Sequence, residues 1–163
     1  MKIRDATPAD AALLHELILD LARYERLEDE VVGTAQDLAR QLFCERPHVF
    51  ALVAEFDGQA AGFALYFFNF STFLARPGLY LEDLFVKPDY RSKGVGRALL
   101  AALAARAMAR DCGRMEWAVL DWNEPAMAFY RGLGAQAVSE WQIFRMRRPA
   151  IERLANEAEP AAQ

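Results

Sequence analysis

With 163 residues, 54% of them hydrophobic and 26% charged, the chain suits one globular domain with its own core, and the composition excludes a disordered or fibrous protein. A net charge of −4 argues against non-specific nucleic-acid binding and agrees with cationic ligands. Cys44 and Cys112 lie far apart with no Cys-x-x-Cys, and His15 and His48 lack ligand spacing, so neither a disulfide framework nor a metal site is indicated.

In chain order, Lys2 to Ala6 reads as a short strand, and Thr7 can cap a helix that begins at Pro8. Leu14, Leu17, Ile18, Leu21 and Ala22 recur at helical spacing and give that helix one apolar face. It runs into Tyr24-Glu25-Arg26-Leu27-Glu28-Asp29-Glu30. Acids there oppose the helix dipole, and two readings stand: a rim that attracts cations, or a solvated loop. Thr34 caps a second helix carrying Leu38, Leu42 and Phe43. Val49 to Phe56 is an apolar strand, Asp57-Gly58 is a two-residue turn signal, and Gln59 to Asn69 returns antiparallel. After a loop over 71–78 comes a central strand from Gly78 to Val86, stopped by Lys87-Pro88. A helix from Gly94 to about Asp111 follows, with Gly113 as its cap. Glu116 to Leu120 is the next strand, Pro125 opens a helix through Tyr130, and Trp141 to Arg147 reads as a last strand. The expected organisation is one domain over 1–148 and a polar tail over 149–163. The N-terminus shows no secretory h-region and no stretch of about 18 apolar residues occurs, so a cytoplasmic protein without membrane contact is expected.

The stretch between the central strand and the following helix is the most informative. Arg91-Ser92-Lys93-Gly94-Val95-Gly96 puts small residues and free amides at a helix start, where the dipole favours an anion. Arg91, Lys93 and Arg97 crowd that positive end with only Asp89 to oppose them, so a phosphate or pyrophosphate is expected. The alternative is a glycine-rich turn with solvated charges. The dinucleotide fingerprint fails, because Leu99 stands where its third glycine belongs, and no Gly-Lys-Ser/Thr run makes a P-loop.

What remains, Arg91-x-x-Gly94-x-Gly96, matches the acyl-CoA signature Arg/Gln-x-x-Gly-x-Gly/Ala. With the strand before it and residues 119–134 after it, the sequence resembles the GNAT acetyltransferases. The resemblance implies an α/β fold, a mixed central sheet with helices on both sides, and acetyl-CoA as cosubstrate. By it, Phe85, Val86, Arg91, Ser92, Lys93, Gly94, Val95, Gly96, Arg97, Asn123 and Tyr130 bind the cofactor, and no metal is involved.

Amine acetylation poses two proton problems. A primary amine with a pKa near 10.4 is mostly protonated at neutral pH, and a thiolate with a pKa near 8.5 leaves better when protonated. Glu82 and Asp83 are adjacent acids in an apolar strand; in a regular strand they point to opposite faces, so only one can face a pocket unless a bulge re-aims the other. One salt-bridged acid and one edge acid is the alternative. Asn123 and Tyr130 lie two helical turns apart. By the resemblance Glu82 is the base and Tyr130 the acid.

Leu21-Ala-Arg-Tyr-Glu25, Tyr80 to Val86 and Asp121-Trp-Asn-Glu-Pro125 look like the spermidine/spermine acetyltransferase branch, and Val119 to Asn123 with Phe70-Ser-Thr-Phe73 looks closer to the thialysine acetyltransferases. Tyr24, Glu25, Asp83, Glu140 and Trp141 then match residues lining the amine site, and a homodimer is implied. Ser71 and Phe73 stand where the polyamine enzymes carry an acid and a tryptophan. Less charge at the far end of the groove favours a thialysine-like amine or short diamine over spermine. Other readings are acetylation of protein N-termini or lysines, or an acyl-CoA-binding module without chemistry.

Overall fold

One turn signal and runs of apolar and aromatic residues account for most of the sheet. In the computed structural model, which describes residues 1–158, Asp57 and Gly58 both take left-handed backbone angles (φ 50° and 76°). That is the twist a two-residue hairpin turn requires. It joins β2 (Val49–Phe56) to β3 (Gln59–Ser71). A second, four-residue turn over 72–75 leads into β4 (Arg76–Val86), so half of the expected loop over 71–78 is strand. With β1 (Lys2–Asp5) and β5 (Arg114–Trp117) the sheet runs β1-β2-β3-β4-β5. The first four strands are antiparallel, and β5 is parallel to β4.

Helices cover both faces, as expected. On one side α1 (Ala11–Glu25) and α2 (Ala35–Leu42) bury Leu14, Leu17, Leu21 and Leu42 with Ala51, Val53, Phe63, Leu65 and Phe85 of the sheet. On the other, α3 (Val95–Ala109) packs Leu99 and Leu103, both fully buried, against the strands. Each fully buried leucine contributes on the order of 1.5–3 kcal/mol. The capping expected of Thr34 is present: Asp37 N–H donates to Thr34 Oγ1 at 3.1 Å, and Thr34 N–H donates to the Asp37 carboxylate at 2.9 Å. Before α1, Pro8–Asp10 forms a 3-10 turn, so the α-helix proper starts three residues later than its cap suggests. The Asp10 carboxylate takes both Arg4 Nη groups (2.7 and 2.8 Å) and is held well below the usual carboxylate range by them.

The chain divides into two compact units, 1–120 and a second beginning at Asp121. The second contains α4 (Glu124–Gly132) and α5 (Arg148–Ala155). Part of the expected polar tail is therefore helical, and residues 159–163 lie outside the described range.

Three expectations are corrected. Trp141 to Arg147 is not a strand: it pairs with no ladder among the described residues, and Trp141, Ile143, Phe144 and Met146 are all exposed. A strand exists only by pairing its backbone groups, and adjacent Ile143 and Phe144 do not alternate as a one-sided strand would. The strand expected at Glu116–Leu120 lies at Arg114–Trp117, in register with Gly78–Leu81. The left-handed residue that closes α3 is Asp111 (φ 53°), not Gly113. Cys112 N–H bonds Ala107 O at 2.9 Å and Asp111 N–H bonds Met108 O at 3.1 Å, the paired bonds of a Schellman ending.

Candidate active site

The site in the first unit is built where β4 ends and α3 begins. Leu65 pairs with Asp83 but Tyr66 pairs with Leu81, which leaves Glu82 as the extra residue of a β-bulge. Strict alternation is thereby broken between the two acids. Glu82 is exposed and Asp83 half-buried. Burial, then the negative charges of Glu82 and Glu25, push the Asp83 carboxyl up to about 6. Burial also raises Glu25, the last residue of α1. The structure thus brings Glu25 and Glu82 within electrostatic reach of Asp83. Among the described residues none of the three forms an ion pair or a hydrogen bond. Like charges gathered without a counter-charge are costly, and a bound cation would relieve that cost.

The loop beyond β4 has the geometry of an anion cradle. Ser92 (φ 60°) and Gly94 (φ 80°) are both left-handed, a turn that turns successive N–H groups to one side. The first α-helical bond is that of Ala98 N–H to Gly94 O (3.0 Å), so the amides before it have no intrahelical partner. A Cβ at Gly94 would meet nothing within 4 Å, which leaves room for a ligand to approach the backbone. These features fit the pyrophosphate of acetyl-CoA. Val95 is buried at the base of the loop, Gly96 is half-buried, and Arg97 is exposed in the first helical turn.

Three cations at a helix start are tolerated because two of them are drawn aside. Lys93 Nζ sits 5.5 Å from the centroid of the Phe56 ring and 5.4 Å from that of Tyr90. The Arg91 guanidinium turns back from the loop, with Nε donating to Val86 O at 3.1 Å. It lies 4.9 Å from the Tyr24 ring centroid and 5.8 Å from that of Phe85. Phe56 and Tyr90 were not foreseen; nothing in their spacing marks them, since the loop meets the β2–β3 hairpin only in the fold.

In the second unit Asn123 is buried at the start of α4, where its Oδ1 accepts from Ala126 N–H at 3.3 Å. Tyr130, two turns along, is half-buried with its ring 5.4 Å from Phe129. Glu140 and Trp141 are exposed on the irregular segment after α4. Ser71, expected in an open groove, is only 3% exposed, and its Oγ accepts from Leu74 N–H at 3.3 Å. Its work is to close the β3–β4 turn. Phe73, at 91% exposure, is at the tip of that turn. No described helix is long and apolar enough to cross a membrane.

Comparison with known proteins gives the family and the fold. Residues 14–135 match the acetyltransferase (GNAT) family. The chain is 38% identical to the thialysine N-epsilon-acetyltransferase of Bos taurus, over 94% of this chain and 96% of that one. It is 34% identical to an L-ornithine N5-acetyltransferase of Arabidopsis thaliana, over 94% and 87% respectively. Among solved structures, an integron cassette protein from the mobile metagenome of V. cholerae superposes with a TM-score of 0.79 at 28% identity, covering 96% of this chain and 98% of that one. The chain belongs to the GNAT acetyltransferase family. It is an N-acetyltransferase, and enzymes of this family take their acetyl group from acetyl-CoA.

Proposed function

We propose that this enzyme acetylates a primary amine of a small molecule of the thialysine, ornithine or short-diamine class, by direct attack in a ternary complex. The observation that carries the reading is the set of three acids without a counter-charge, Glu25, Glu82 and Asp83, beside the loop that suits a pyrophosphate. Relatives at 32–38% identity are named as thialysine, ornithine and spermidine/spermine-like acetyltransferases, and small cationic amines are common to those names.

Acetyl-CoA supplies the acyl group as a thioester. The backbone amides of residues 92–97 hold its pyrophosphate, with Lys93 and Arg97 nearby. Tyr24, Glu25 and Asp83 hold the substrate cation, and the family resemblance adds Glu140 and Trp141 to the residues that meet the substrate. Glu82, exposed at the bulge, accepts the ammonium proton directly or through water, and the Tyr130 hydroxyl gives a proton to the departing sulfur. Asn123 caps the start of α4, and by the family resemblance it contacts the cofactor arm. Neither cysteine lies in these motifs, so no acyl-enzyme forms. We read the active form as a cytoplasmic homodimer, with the exposed Trp141, Ile143, Phe144 and Met146 covered by a second copy.

Incubation with acetyl-CoA and each amine, followed by mass spectrometry, tests the reading. One acetyl group on a primary amine, with no thiol released before amine is added, is the expected result. A burst of thiol without amine, or acetylation only of protein N-termini, overturns it.

A further inference from the structure

Arg91 poses an electrostatic question that its family motif does not answer. Asp83 and Phe85 are two residues apart on β4 and point to the same face, and the Arg91 guanidinium lies 5.8 Å from the Phe85 ring centroid. Glu25 directly follows Tyr24, over whose ring the same guanidinium rests at 4.9 Å. An arginine on a long flexible stem, resting on rings that neighbour Glu25 and Asp83 in their own elements, is expected to fork onto a carboxylate, because that is its strongest common contact. It does not. Its partners are all uncharged: the Val86 carbonyl at 3.1 Å, the Tyr24 ring and the Phe85 ring. The carbonyl is available because β4 ends at Val86, and the ring is available because α1 ends one residue after Tyr24.

We propose that Tyr24 and the Val86 carbonyl park the Arg91 guanidinium away from Glu25, Glu82 and Asp83, so that the enzyme's own cation does not compete with the substrate's. This rests on the small-amine reading above and assigns Tyr24 and Arg91 a role beyond ligand contact. Both are positioning residues: one side chain of the phosphate loop is kept from neutralising the acids of the amine site. Removing the ring releases the guanidinium, which then pairs with the acids and excludes the amine. Removing the arginine as well leaves the acids open again.

The test compares Tyr24→Leu, Arg91→Met and the double variant, with amine KM measured at saturating acetyl-CoA and acetyl-CoA Kd measured by calorimetry. Tyr24→Leu is expected to raise amine KM on the order of tenfold, as an internal cation comes within ion-pair range of the acids. The double variant is expected to return to within about threefold of Arg91→Met, because the competitor is gone; this is a non-additive rescue. A double variant as impaired as Tyr24→Leu overturns the proposal, since Tyr24 then acts only by touching the amine. An unchanged KM in Tyr24→Leu overturns it too. A second readout needs no turnover: carbon-13 NMR titration of the Asp83 carboxyl. Its midpoint should fall in Tyr24→Leu and rise again in the double variant; a midpoint that does not move refutes parking even if no small amine proves to be a substrate. Absence of turnover on every small amine, with the titration shifts present, refutes the substrate reading alone. Tyr24→Met serves if the leucine variant does not fold.

Discussion

Asp83→Asn should make the protein more stable and less active, and the gain should depend on pH in a defined direction. An ordinary aspartate titrates near 3.8, whereas burial and the charges of Glu82 and Glu25 push Asp83 up to about 6. The folded protein therefore holds this proton more tightly than the unfolded chain. Wild-type stability falls as pH rises through the window from about 4 to 6, and the full cost of ionisation is present above it. At about 1.36 kcal/mol per tenfold change in proton affinity, the cost reaches about 3 kcal/mol. The asparagine removes the charge but buries an amide in its place. If half the gain survives, ~1.5 kcal/mol raises Tm by roughly 3–6 °C for a chain of this size. Thermal melts of both proteins at pH 8 and pH 4 provide the assay. The variant should melt higher at pH 8, the two should converge at pH 4, and kcat/KM for the amine should fall. A variant no more stable than wild type at pH 8, or one whose advantage persists at pH 4, refutes the argument that Asp83 is held against its charge.

Other outcomes follow from the same geometry. With acetyl-CoA saturating, amine kcat/KM should fall on the acid side near pH 6, and Glu25→Gln should move that limb lower by removing a repelling charge from Asp83; an unmoved limb assigns it to another group. Gly94→Glu should weaken acetyl-CoA binding at least tenfold in calorimetry, because it adds left-handed strain and negative charge at the anion cradle. Gly94→Ala, with open space around its Cβ, should lose much less, and equal losses would point to strain alone. Tyr130→Phe should keep acetyl-CoA affinity and lower kcat by roughly 10²- to 10⁴-fold, the range for losing a general acid; wild-type turnover returns Tyr130 to a packing role. Light scattering at micromolar concentration should give twice the monomer mass, and Phe144→Lys should halve it; a wild-type monomer removes the assembly reading.

Much of the frame could be read from residues in sequence because its causes are local. Asp57-Gly58 dictates a hairpin turn, Thr34 with Asp37 dictates a helix start, and Gly94 supplies the left-handed residue that opens α3. The acids of β4 were visible as a pair, but whether they share a face depends on the register of β3, and one inserted residue at Glu82 decides it. That is a tertiary event with no local signature. The direction of Arg91 was hidden for the same reason: its ring partner is 67 residues earlier in the chain. Trp141 to Arg147 misled because an apolar and aromatic run makes a strand only where a ladder partner exists. The burial of Ser71 was not legible, because the resemblance gives a position in the chain and not its exposure.

The most direct measurement is free-thiol release from acetyl-CoA across a panel of thialysine, ornithine, a short diamine, spermidine, spermine and an N-terminal peptide. The account predicts the highest kcat/KM on an amino acid or short diamine with one extra positive charge near the reacting nitrogen, and little release with the peptide. Spermine as the best substrate, or release with the peptide alone, would contradict it.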